Sequence, residues 1–423
     1  MAARHRLESG ATLLVDEMSD VRSLSVGFFV RAGSGAEPAG KRGLSHFLEH
    51  VLFKRTRRRS NAAIARVIDR LGGDVDAFTT KEHTGFYAHT LDARFAEALD
   101  LLADVVLAPA FGAADVETER GVILEEIGEA NDNPEDLVHE MFVRAFWKGH
   151  PLGAPVLGTE KTVRAITTAD LYRWHRAAYA PPNLVVSVAG RVRAPEVVGA
   201  VERLFRRRPG ASRAVRPPAQ KPRSHQHLSL AARRGLEQAH VCLGFEAPSQ
   251  ASDRRFASQL LDVVLGGGMS SRLFQEVREK RGIAYSVASS WNAYRQGGYE
   301  AIYAACAPKN LTRLIEVTLG ELKKLKRDGV RPGELSRAKA IVTSGMLLAL
   351  ESTVSRMSSQ ARQELIFGRV APPEELLACV EAVTTEDLGR EAERMLDGRV
   401  LSLVVVGNVG KLPVAASDLA AAL

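Results

Sequence analysis

Cysteine is scarce in this chain. Three residues, Cys242, Cys306 and Cys379, are spread over 423 positions. So odd and sparse a set excludes a disulfide scaffold and lacks the close pairs of a zinc ribbon, so all three read as reduced core thiols. Long apolar runs are also missing, and none is of bilayer-spanning length. The first ten residues, Met1 to Gly10, hold no apolar stretch of signal-peptide size. The expectation is a cytoplasmic protein without membrane insertion. Acidic residues are outnumbered, 50 against 57 basic ones, for a formal net charge of +7. That excess invites a nucleic-acid reading, but Arg206 to Arg223 alone carries seven Lys or Arg and no Asp or Glu. The basic run Lys54-Arg-Thr-Arg-Arg-Arg59 lacks interleaved aromatics, and no helix-turn-helix or zinc-finger spacing occurs, so it reads as a solvated loop and no nucleic-acid partner is expected.

What is present is the composition of a folded protein. Apolar types make up 45% and charged types 25%, which excludes a disordered chain, and the length supports more than one domain. Two stretches resemble each other. Leu24 to Val30 reads as a strand and precedes a helical segment, Ser45 to Leu52; Ala239 to Phe245 reads as a strand and precedes another, Ser258 to Leu265. The two helical segments match at Ser45 and Ser258, Leu48 and Leu261, Glu49 and Asp262, and Leu52 and Leu265. Each half closes on an apolar strand ending in glycine, at Gly190 and Gly407. The reading is a repeat of two similar domains, 1–208 and 224–423, joined by a Pro/Arg-rich linker at 209–223. Helical periodicity at Ala62–Leu71 and Phe95–Leu107 alternates with strand-like runs at Val75–Thr80 and Gly85–Thr90. That predicts an α+β sandwich in each half, a mostly antiparallel sheet covered by a helical layer.

The sharpest motif is His46-Phe-Leu-Glu49-His50. On a helix, positions i and i+4 share a face, so two imidazoles can meet one zinc ion. Glu49 can reach a water on that metal without taking a coordination position, and zinc lowers the pKa of such a water toward about 7. A catalytic zinc site needs a third protein ligand. Glu119 and Glu126 lie two turns apart on one face of a predicted acidic helix, with Glu125 rotated by about 100°. Spacing allows either Glu119 or Glu126 to ligate while the other supports it.

His46-Phe-Leu-Glu-His50 followed by Glu126 resembles the pitrilysin (insulinase) family of zinc metallopeptidases, and within it the branch of mitochondrial processing peptidase and its bacterial relatives. Gly43 to Lys54, Gly72 to Thr84, Glu119 to Ile127 and His150 to Gly153 are similar to that family's segments, so the likeness runs along most of the chain. The resemblance implies one Zn2+ per chain, held by His46, His50 and Glu126, with Glu49 as general base and Glu119 in support. It implies that Asp76, Ala77, Phe78 and Thr79 form an edge strand on which a peptide is laid. Relatives usually have asparagine at Asp76; a carboxylate cannot donate the hydrogen bond an amide can, which points toward basic peptides.

The second copy has Gln259 and Val263 where the first has histidines, so it cannot bind zinc in the same way. Gly266, Gly267 and Gly268 read as a turn, followed by a helix to Lys280, a glycine C-cap at Gly282 and a strand. By the resemblance, Arg278 and Tyr285 hold the substrate backbone and stabilise the oxyanion, and the glycines let the substrate approach closely. Long family members join two such domain pairs in one chain. This chain has one pair, so the resemblance implies a homodimer, or a heterodimer with a paralogue, enclosing unstructured peptides. The alternatives are a non-catalytic structural subunit of the same fold, as in respiratory-complex core proteins, or the non-catalytic half of a heterodimer.

Overall fold

The computed structural model describes residues 2–206, 215, 220–396, 400–415 and 419. In chain order the strands and helices begin β1 (Ala3–Arg6), β2 (Thr12–Glu17), β3 (Ser23–Val30), α1 (Leu44–Leu52), α2 (Asn61–Leu71), β4 (Asp74–Thr79) and β5 (Thr84–Leu91). They continue with α3 (Phe95–Leu107), α4 (Ala113–Asp132), α5 (Pro134–Phe146), α6 (Glu160–Arg164), α7 (Thr168–Ala178), β6 (Leu184–Gly190) and α8 (Ala194–Phe205). The second half adds β7 (Leu228–Ala232), β8 (Ala239–Ala247), α9 (Arg255–Leu265), β9 (Ala284–Ala293) and β10 (Gly298–Cys306). It ends with α10 (Leu311–Asp328), α11 (Pro332–Ala349), α12 (Thr353–Phe367), α13 (Pro373–Ala382), α14 (Thr385–Met395) and β11 (Ser402–Gly407).

The chain is an α+β protein of two compact units, each built on one sheet. The first sheet runs β1-β2-β6-β3-β5-β4, and the second β7-β11-β8-β10-β9. From β2 onward the two orders correspond strand for strand. The β2/β6 and β11/β7 pairs are parallel, and the others are antiparallel. Local capping repeats as well. Thr167 and Asp170 close a capping box at the start of α7, and Thr384 and Asp387 close the same box at α14. Each threonine hydroxyl takes the N–H three residues on, and each aspartate reaches back to the cap.

The expected contiguous boundaries need redrawing. The first unit is 1–128, 154–219 and 347–372; the second is 129–153, 220–346 and 373–423. Helix α5 therefore belongs with the second sheet and α12 with the first. The cause is that both faces of each sheet are apolar. Leu13, Val26, Phe28 and Val188 face one core, while Leu14, Phe29, Val185 and Ala189 face another made with Met357, Ala361 and Leu365 of α12. In the second unit Val241, Leu243 and Phe245 face the main core, while Cys242, Tyr299 and Val404 meet Val138, Phe142 and Phe146 of α5. Strands buried on both faces read as nearly unbroken apolar runs, as Leu184 to Gly190 does. The predicted linker lies mostly outside the described residues.

Two local readings change. The segment expected as an ordinary helix up to Lys280 makes wide π turns over Phe274–Glu279, with the Lys280 N–H on the Gln275 carbonyl at 2.9 Å. The basic run after α1 is ion-paired to α3 and α4 as well as solvated: Lys54 with Glu119, Arg55 with Asp115, Arg58 with Asp100, and Arg59 with Asp104. All three cysteines are free thiols, two buried and Cys379 half-buried. Among the described residues no helix is long and apolar enough to cross a membrane.

If α5 is a core element of the second unit, Phe142→Ala should cost about 3–5 kcal/mol in denaturant unfolding, the range for a fully buried phenylalanine. Phe142 is fully buried against Phe146 and Tyr299. A loss below about 0.5 kcal/mol, the usual effect of a surface substitution, would show that α5 merely lies on the surface.

Candidate metal centre

Helix α1 carries the motif, and its apolar face fixes how it sits. Leu44, Phe47, Leu48, Val51 and Leu52 are buried, which turns His46, Glu49 and His50 together toward one side. The start of α1 is held by a residue absent from the sequence-based candidates, Glu37. Its carboxylate is buried and accepts the Gly43 N–H at 2.8 Å and the Ser45 N–H at 2.6 Å, two N–H groups a helix start leaves without partners. Gly43 has φ 90°, and a Cβ there would stand 2.4 Å from the Leu157 carbonyl oxygen, so only glycine fits. The indole N–H of Trp174, on α7, donates to the Ser45 hydroxyl at 3.1 Å.

His46, His50 and Glu126 each turn one ligand atom inward, and the three atoms lie within 4.8 Å of one another. His46 Nε2 is 3.7 Å from Glu126 Oε2, and His50 Nε2 is 3.5 Å from Glu126 Oε1. Glu126 Oε2 is buried without a hydrogen-bond partner. Two imidazole nitrogens and a carboxylate, too far apart to bond one another and partly orphaned, fit a tetrahedral ion that binds all three. His50 Nδ1 is 3.2 Å from Glu119 Oε2, which fixes the tautomer with the Nε2 lone pair free. Glu119 in turn pairs with Lys54 Nζ at 2.7 Å through its other oxygen. Lys54 was not among the sequence candidates; its place four residues after His50 was the available signal. Glu125 is exposed, turned away from this cluster.

Glu49 lies beside the triad. Its Oε2 accepts the Thr79 hydroxyl at 2.6 Å, which ties the helix to edge strand β4. Burial raises its pKa above the usual carboxylate value, opposed by the Thr79 hydrogen bond and by His50. His46 is lowered to about 4 by burial and then by His50, so its imidazole is neutral at pH 7. Tyr179, a buried phenol whose hydroxyl has no hydrogen-bond partner, senses the Glu49 charge. Asp76, Ala77, Phe78 and Thr79 all lie in β4, the last strand in the sheet order, whose outer edge is unpaired among the described residues. The exposed Asp76 accepts the Ala77 N–H at 2.8 Å and the Tyr87 hydroxyl at 3.3 Å. Between β4 and α2 a cavity of about 360 Å³ opens next to Glu49, walled by Phe53, Ile64, Ile68 and Val75.

The remaining candidates belong to the second unit. Arg278 stacks over Tyr285 at 4.3 Å and over Phe274 at 4.8 Å, held there by the wide π turns. Tyr285 is 77% exposed, so this pair presents a cation and a phenol to solvent. Gly266 to Gly268 follow α9 directly.

Comparison with known proteins gives the class. Residues 13–160 match the model of the insulinase family, peptidase family M16, and residues 165–342 match the M16 inactive domain. A protein of Mycobacterium bovis called an uncharacterized zinc protease is 41% identical over 399 residues, covering 94% of this chain and 91% of its own length. The chain is a member of the insulinase (M16) family. A crystal structure of a protease from Helicobacter pylori superposes with a TM-score of 0.91 at 22% identity, covering 96% of this chain and 99% of that one. A chain of complex III2 from Candida albicans superposes with a TM-score of 0.85 at 19% identity, covering 99% of each.

Glu37 gives this site a measurable pH signature. Burial raises its pKa from 4.5 to about 7, against the helix N–H groups that lower it. A carboxyl whose folded pKa is raised stabilises the fold below its unfolded pKa, and that contribution is lost as pH rises through the folded value. In metal-free protein, the stability of wild type relative to Glu37→Gln should therefore fall by about 3 kcal/mol between pH 4.5 and pH 8. A difference that stays flat in thermal or denaturant unfolding would mean that Glu37 titrates normally.

Proposed function

We propose that this protein is a zinc-dependent endopeptidase acting on extended or unstructured peptides. The observation that carries the reading is the convergence of His46, His50 and Glu126, with Glu49 beside them and outside the triad. Zinc, when bound, supplies Lewis-acid polarisation of the peptide carbonyl and lowers the pKa of a water toward about 7. The chain's residues supply the rest. Glu49, whose pKa burial raises above the usual carboxylate value, takes a proton from the attacking water and returns it to the leaving amine. Thr79 holds the Glu49 carboxylate toward β4, where a peptide paired along the free strand edge would pass. Glu119 and Lys54 hold His50 in the ligating tautomer. The apolar-walled cavity beside Glu49 receives a substrate side chain.

The working unit is a homodimer, or a pair with a paralogue. Arg278 and Tyr285 of one subunit hold the substrate backbone and the developing oxyanion at the other's zinc. Gly266 to Gly268 let the substrate backbone come close. The name of the Mycobacterium bovis relative, a zinc protease, supports this reading. A second reading has support from the Candida complex III2 chain and from the inactive-domain match: a structural subunit that cleaves nothing.

Glu49→Gln should keep stoichiometric zinc and lose about 10²–10⁴-fold in turnover of an unstructured peptide, the usual worth of a general base. Robust cleavage by that variant would remove the assignment, and purified wild type without zinc or cleavage would favour the structural reading. Mixing Glu49→Gln with an Arg278→Ala/Tyr285→Phe chain should restore activity in mixed dimers. No recovery, with both chains folded and paired, would exclude action across the dimer.

A further inference from the structure

The second unit repeats a link seen at the metal centre. In the first unit a hydroxyl of edge strand β4, Thr79, donates to the α1 carboxylate of Glu49. In the second, a hydroxyl of edge strand β9, Ser289, stands 2.5 Å from Oδ1 of Asp262 on α9. Helices α1 and α9 correspond, and so do β4 and β9 in the two strand orders. Asp262 occupies the sequence position matching Glu49, yet no histidine accompanies it. Its surroundings show a different task.

The Asp262 backbone carbonyl accepts three donors: the Gly266 N–H at 2.9 Å, the Gly267 N–H at 3.1 Å and the Ser289 hydroxyl at 3.0 Å. The glycine turn is thus seated on Ser289. A Cβ on Gly266 would lie 2.2 Å from the Ser289 nitrogen and 2.6 Å from its hydroxyl oxygen, so only glycine can sit there. Beside Asp262 and Ser289 lies Glu300 of β10, which is 1% exposed and closes no hydrogen bond of good geometry through either oxygen. Burial first, and the Asp262 charge second, hold the Glu300 carboxyl well above the usual range.

We infer that Asp262, Ser289 and Glu300 form an anchor, buried at Ser289 and Glu300, that positions the Gly266–Gly268 turn for a substrate backbone. The anchor follows from the contacts above; its link to substrate rests on reading this turn as substrate-receiving. These are positioning residues, acting through the turn. Met269, 77% exposed immediately after the glycines, shows that the turn reaches solvent.

The test uses full-length, zinc-loaded protein and two readouts. Ser289→Ala removes the hydroxyl and little volume. It should speed amide hydrogen exchange at Gly266 and Gly267 several-fold, and raise KM for an unstructured peptide about tenfold with kcat within about threefold, as expected when positioning and not chemistry is lost. Asp262→Ala should behave alike, while Asp262→Asn, which keeps a side-chain acceptor for the Ser289 hydroxyl, should return both readouts toward wild type. Unchanged exchange in Ser289→Ala would overturn the anchor. Faster exchange with unchanged KM, or a fall in kcat alone, would overturn its role in substrate positioning. Failure of the parent reading looks different: wild type with zinc would cleave no peptide, and the substrate half of the inference would fall while the exchange difference remained.

Discussion

Both faces of each sheet in this protein are apolar, and a helical layer formed by its own stretch of sequence covers only one of them. Much of the architecture follows from how the second face is buried. Helix α5, from the first half of the sequence, closes the second sheet, and α12, from the second half, closes the first. Neither half of the sequence therefore makes a finished unit by itself. With the rear face of each sheet sealed in this way, the other face carries α1 in one unit and α9 in the other, each set against the corresponding helix α7 or α14.

On that common frame, carboxylates do different work because their surroundings differ. Glu37 meets helix N–H groups and orders the start of α1. Glu49 meets a hydroxyl and stays available beside the triad. Glu119, buried, is balanced by Lys54 and spends its second oxygen on His50. Glu126 faces two imidazole nitrogens. In the second unit Asp262 takes a hydroxyl as Glu49 does, but its carbonyl is occupied with a glycine turn. A carboxylate's neighbours, more than its place in the motif, decide whether it binds metal, moves a proton or holds backbone.

The sequence made some of this legible for physical reasons. A helix with fixed period carries His46, Glu49 and His50 to one side, and the same period puts Glu119 and Glu126 on one face of α4. Strand-like apolar runs gave β3, β6, β8 and β11 close to their observed limits. What was not legible depends on contacts between distant segments. Glu37 lies six residues before Gly43, outside capping-box spacing, so its role appears only when the loop folds back. The exchange of α5 and α12 leaves no local mark, because a helix with an apolar stripe can cover either sheet. The paired threonine–aspartate boxes at α7 and α14 are a further repeat signal in the sequence, beside the matches of Ser45 with Ser258 and Glu49 with Asp262.

Glu49 and Asp262 show how one fold can carry two different devices in its two copies. Both copies keep a hydroxyl-to-carboxylate link from the edge strand to the corresponding helix. Only α1 adds the flanking histidines, and only α9 runs into three successive glycines. A glycine turn needs a fixed backbone behind it, since glycine itself contributes conformational freedom and no side-chain packing. A metal site needs the opposite, rigid side chains on a helix with the solvent side left open. The link from strand to helix satisfies both needs, because it immobilises the helix segment that either device is built upon. With Gln259 and Val263 in place of the histidines, the second copy still keeps the strand-to-helix link on which its glycine turn rests.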